Sequence, residues 1–63
     1  MTDYQIVETM ITYGGSFAQK LAEAWRCADE HNQQRLKDAF PDYWLQYRLM
    51  AARREQRAAE RSA

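Results

Sequence analysis

Cys27 and His31 stand four residues apart, a spacing that puts a thiol and an imidazole on one face of a helix. Together they suggest a metal ligand pair or a nucleophile with its base. A structural zinc site needs four ligands, and the chain holds no other cysteine or histidine. Asp29, Glu30 or a symmetric second copy would have to complete the set, so no metal is expected. Nucleophilic catalysis needs an oxyanion-stabilising group and a concave pocket as well, and 63 helical residues offer little of either. The simpler expectation is a small, buried or half-buried Cys27 and a solvated His31 in a turn. The carboxylate pairs Asp29-Glu30 and Asp38…Asp42 are better explained as caps and dipole partners at helix starts. Gly14-Gly15 is too short for a phosphate-cradling loop, and no Gly-Lys-Ser/Thr follows. The expectation is a protein that is not an enzyme, with no catalytic residue and no cofactor.

Arginine is the remaining chemistry. Formal net charge is zero, but residues 1–47 carry four Lys/Arg against seven Asp/Glu, while residues 48–63 carry five arginines against two glutamates. Arg53, Arg57 and Arg61 share a helical row with Arg54 beside it, and Trp44 and Tyr47 lie upstream as possible stacking surfaces. Such a tail suits nucleic acid, an acidic protein whose carboxylates pair with guanidinium bidentately, or simply the negative end of a helix dipole. A helix-turn-helix reading of the second and third helices finds Asn32, Gln33, Gln34, Arg35 and Lys37 on the reading element. Asp29, Glu30 and Asp38 surround them, and an acidic body is a handicap for phosphate binding.

The elements that position these groups are all helical. Asp3 or Thr2 caps a first helix to about Thr12, with Val7, Met10 and Ile11 inward and Tyr4 and Ile6 extending that face. Gly14-Gly15 stops it with the positive φ of a glycine cap. Ser16 and Gln19 form a capping box for a second helix whose apolar face is Phe17, Leu21, Ala24, Trp25 and Ala28. Asp29 or Asn32 caps a third, with Leu36, Ala39 and Phe40 inward. Pro41 ends it and opens a fourth helix to about Glu60. Residues 1–50 are expected to form a packed body, and residues 51–63 an Arg-rich helical extension of the same single domain that frays when unbound.

The stretch Phe40-Pro41-Asp42-Tyr43-Trp44-Leu45-Gln46-Tyr47-Arg48 concentrates large apolar residues. Phe17, Trp25, Phe40 and Trp44 are expected in the core. A chain of this length buries only roughly 60% of its unfolded surface, and a lone cysteine excludes an internal disulfide. Oligomerisation is the remaining way to stabilise it. The surplus Tyr, Met and Arg on the fourth helix has the composition of interface hot spots. Tyr43, Tyr47, Met50 and Arg54 are therefore the expected contacts with a partner or a second copy, with Arg53 and Arg57 as electrostatic support. A first helix folded over this face would remove the main support for a homodimer built on it.

Tyr13-Gly14-Gly15-Ser16-Phe17, Leu21-Ala22, Ala28-Asp29 and Phe40-Pro41-Asp42-Tyr43-Trp44 with Tyr47 resemble a family of very short phage proteins, the small early accessory proteins of lambdoid and other temperate phages and prophages. The similarity covers about residues 13–47. It implies an all-helical, self-associating protein made inside an infected bacterium, with no established enzymatic role. No stretch reaches the roughly 18 apolar residues of a membrane span, and the first residues lack the basic start of a signal peptide. The expectation is an all-α, three- to four-helix homodimer in the bacterial cytoplasm. It would bind a host or phage protein and modulate it, with nucleic-acid binding by paired Arg-rich helices as the alternative.

Overall fold

Four helices in succession, α1 (Asp3–Tyr13), α2 (Ser16–Cys27), α3 (Glu30–Ala39) and α4 (Pro41–Ser62), make up the computed structural model, which describes residues 2–62 and side chains through residue 58. The fold is all-α, with no strand among the described residues. No helix among them is long and apolar enough to cross a membrane.

Thr2, not Asp3, caps α1. Its hydroxyl accepts from the Gln5 N–H while the Gln5 side chain accepts from the Thr2 N–H at 2.8 Å, a full capping box that satisfies two otherwise orphaned donors. Asp29, not Asn32, caps α3, accepting from the Asn32 N–H at 2.8 Å. At α2 the expected Ser16 cap is replaced. Gly15 occupies the cap position with no side-chain bond, Ser16 is the first helical residue, and Gln19 donates instead to the Gly14 carbonyl at 3.0 Å. Neither glycine takes a positive φ: Gly14 lies at −78° and Gly15 at −72°, in extended backbone open to any residue.

The core is built from one face of α1, one of α2 and one row of α4. Val7, Met10 and Ala22 are fully buried, and Ile6, Ala18, Leu21, Trp25, Trp44, Tyr47 and Ala51 surround them. Thr9 is buried too, its hydroxyl satisfied by donating to the Gln5 carbonyl within the helix at 2.8 Å. The face of α2 that turns inward is Ala18–Leu21–Ala22–Trp25, spaced i, i+3, i+4, i+7. It is rotated by one residue from the face that the large side chains suggest, so Phe17 and Ala24 point outward. The two alanines let α2 approach α1 closely while Leu21 and Trp25 fill the flanks. Neither buried indole N–H group, of Trp25 or Trp44, meets a protein acceptor among the described residues.

Contacts to adjacent α4 residues reveal how α1 lies. Gln5 Nε2 donates to Glu55 Oε1 at 2.9 Å, while the Tyr13 ring lies 4.4 Å from the Arg54 guanidinium carbon. Gln5 and Tyr13 are eight residues apart, about 12 Å along a helix axis, yet they meet neighbouring residues. α1 therefore runs across α4, not alongside it, and the small, buried Ala51 sits at the crossing. α3 contributes no buried residue and packs only through half-buried Leu36 and the following Phe40; Ala39, expected inward, is exposed. It is tied down by polar contacts, Gln33 to the Trp25 carbonyl at 3.1 Å and Lys37 to Asp3 at 3.1 Å.

Candidate interaction surface

The turn between α1 and α2 positions the surface. A Cβ on Gly14 would collide with the Met10 carbonyl, come within 2.7 Å of the Ala18 Cβ and reach 3.1 Å from the Tyr47 hydroxyl. Only glycine lets this turn press against α4. The two aromatic residues that bracket it, Tyr13 and Phe17, are carried to the same flank of α4 and stay about half exposed, at 51% and 53%.

From there a band of rings and cations runs along α4. Phe17 meets Phe40 and Tyr43 with ring centroids 5.6 and 5.3 Å apart, and Tyr43 stacks on Tyr47 at 6.5 Å with planes 10° apart. Tyr13 carries Arg54 over its face at 4.4 Å, a cation–π contact that holds the guanidinium in place while leaving its edge free to bond outward. Met50 with Arg53, Arg54, Gln56 and Arg57 lines a shallow depression, and Tyr13, Arg54 and Arg57 line the next. The two ion pairs among the described residues, Lys20–Glu23 and Lys37–Asp3, involve no arginine. Arg53, Arg54 and Arg57 thus form a positive cluster with no ion-pair partner among the described residues, beside the exposed Tyr13 ring. The side chain of Arg61, which shares their row in sequence, lies outside the described residues.

The residues that sequence reasoning nominated separate into two groups. Tyr43 and Met50 are half-buried at the edge of the core, and Arg53, Arg54 and Arg57 are exposed. Tyr47 is different: it is only 6% exposed, because α1 folds over its row, so its ring supports the band from beneath. That cover removes the main support for a dimer seam along the Tyr47 row. Contacts with the body also continue past residue 50, through Ala51, Arg54 and Glu55. Tyr13 and Phe17 were not nominated. Periodicity assigns Phe17 to the core and gives Tyr13 no role, and the glycine pair between them was the available signal. Cys27 is exposed, contrary to the buried or half-buried expectation, and His31 is exposed as well. Among the described residues no group of three or more His, Cys, Asp or Glu side chains is placed to hold a metal ion. Comparison with family models, with curated proteins and with solved structures finds no match to this chain.

Proposed function

We propose that this chain is a non-enzymatic adaptor that binds another protein, of a bacterial host or of a phage, and alters its activity by occupying a surface. The observation that carries the reading is the band of Tyr13, Phe17, Tyr43, Met50 and Arg54 on one flank of α4, with Arg53 and Arg57 beside it. Half-exposed rings and held guanidinium groups are the anchor types that dominate binding energy in protein interfaces, because they bury large area at little entropic cost. The positive cluster favours a partner surface that offers carboxylates around an apolar hollow. The resemblance to phage accessory proteins is what points to a host or phage protein.

Nucleic-acid binding is the second reading, favoured by one observation: three arginines with no carboxylate partner among the described residues, beside the exposed Tyr13 ring. Salt and ring removal separate the two. Phosphate binding weakens steeply with added salt through counterion release, whereas ring-anchored protein binding weakens mildly. The test is retention of partners from host extract by the wild type, Phe17→Ala/Tyr43→Ala and Arg53→Ala/Arg54→Ala/Arg57→Ala, each with and without nuclease. The adaptor reading expects a discrete protein retained after nuclease, lost in the ring variant and only reduced in the arginine variant. Retention that disappears with nuclease and with the arginines would replace the adaptor reading by the nucleic-acid one.

A further inference from the structure

We infer that the Leu45–Leu49–Ala52 face of α4 is a self-association seam, on which two copies of the chain pack α4 against α4 antiparallel. Leu45 and Leu49 are 57% and 52% exposed, the largest exposed apolar groups of α4. Asp42, Leu45, Leu49, Ala52 and Gln56 recur at alternating intervals of three and four residues, the spacing of a coiled-coil seam. The two leucines of that row lie outside the aromatic–arginine band, which shares only Gln56 and Arg53 with the seam and its edge. The inference therefore goes beyond the adaptor reading and survives its failure; if both hold, a dimer carries two bands.

Charge on the edges of the seam selects the occupant and its direction. One edge carries Arg48 and Glu55, and the other Gln46 and Arg53. In a parallel pair each Arg48 faces the partner's Arg53, five residues on, so two like-charge contacts oppose it. In an antiparallel pair equal edges meet. Arg48 then faces the partner's Glu55 twice, and Gln46 faces the partner's Arg53. In the same register Leu49 packs over the partner's Ala52 and Leu45 over the partner's Gln56, each large side chain opposite a smaller or flexible one. An antiparallel slip of one heptad sets Leu45 on the partner's Leu49 but brings Arg48 against the partner's Arg48. The bond from Gln5 holds Glu55 at the edge of the seam, and Arg48 has no ion-pair partner among the described residues. A seam of a few turns with a polar Gln56 in line is small against a standard interface, so the dimer is weak and reversible.

Sedimentation equilibrium on the whole chain at low salt, between about 10 and 500 μM, tests this, because that range brackets the affinity of a weak pair. The wild type should pass from monomer to dimer. Leu45→Glu/Leu49→Glu should stay monomeric with unchanged helical circular dichroism. Arg48→Glu, which disturbs no intrachain ion pair, should weaken the dimer about tenfold. Glu55→Arg should do the same, and the double exchange should restore association. A wild type that stays monomeric, a dimer indifferent to the two glutamates, or a dimer tightened by Arg48→Glu, as a parallel pair requires, would overturn the inference.

Discussion

Two apolar rows run along α4 one residue apart, Trp44–Tyr47–Ala51 and Leu45–Leu49–Ala52, and they meet opposite fates. The first is buried at about 6% exposure throughout, while both leucines of the second stay more than half exposed. Side-chain hydrophobicity does not explain the difference, since leucine is as apolar as tyrosine or more so. What separates them is the cover. α1 crosses over Ala51, and the α1–α2 turn closes on Tyr47 through Gly14. The covered row holds the fold together, and the bare row stays open to solvent.

Truncating each row should show the largest contrast. Trp44→Ala removes a fully covered ring and should cost about 3–5 kcal/mol, against a total stability of only about 3–9 kcal/mol for a chain of this size. Leu45→Ala, one residue on, should cost less than about 0.5 kcal/mol at micromolar concentration, where the bare row has no partner. Urea unfolding followed by circular dichroism measures both. Equal losses would mean that the Leu45 row is covered in the monomer after all. Trp44→Phe should cost well under half of the alanine loss, because it keeps a ring and deletes an indole N–H that meets no protein acceptor among the described residues.

The next contrast removes the cover and leaves α4 untouched. Gly14→Ala drives a methyl group into the Met10 carbonyl, Ala18 and the Tyr47 hydroxyl, and the turn must lift away. The expected loss is about 1–3 kcal/mol, with a rise in Tyr47 exposure visible as a shift in tyrosine absorbance. Gly15→Ala meets nothing within 4 Å and should change stability by less than about 0.5 kcal/mol. If both glycines tolerate alanine, the turn does not rest on Tyr47.

Much of the architecture was legible because helix boundaries are written in local chemistry. Pro41 opens α4, and the glycine pair separates α1 from α2. Asp29 and Thr2 were each one of two candidate caps, and the choice lay in hydrogen-bond geometry that sequence does not contain. The inward face of α2 was misread because periodicity weights large residues. Ala18 and Ala22 are inside because a close helix approach needs small ones, and Phe17 is left outside. Spacing along α4 likewise groups Tyr43, Tyr47 and Met50 as contacts of one kind. Only the placement of α1 across Ala51 divides Tyr47 beneath from Tyr43 and Met50 at the edge. That is a long-range contact, and no local rule supplies it.

The smallest expected effect strengthens the cover without touching either row. Gly15 sits at the N-cap of α2 in extended backbone, with no side chain to bond the free N–H groups of the first turn and no acidic residue in that turn. Aspartate fits this conformation, and open space surrounds the position of its Cβ. Its carboxylate can accept from the N–H of Phe17 or Ala18 and meets the positive end of the α2 dipole. Gly15→Asp should therefore raise stability by about 0.5–1 kcal/mol, a shift of a few degrees in Tm for a domain of this length. Because the gain arises in the turn, dimerisation through Leu45 and Leu49 should be unchanged by it. A loss of stability would show that the turn accepts a side chain at neither position, and the contrast between a closely packed Gly14 and an open Gly15 would fail.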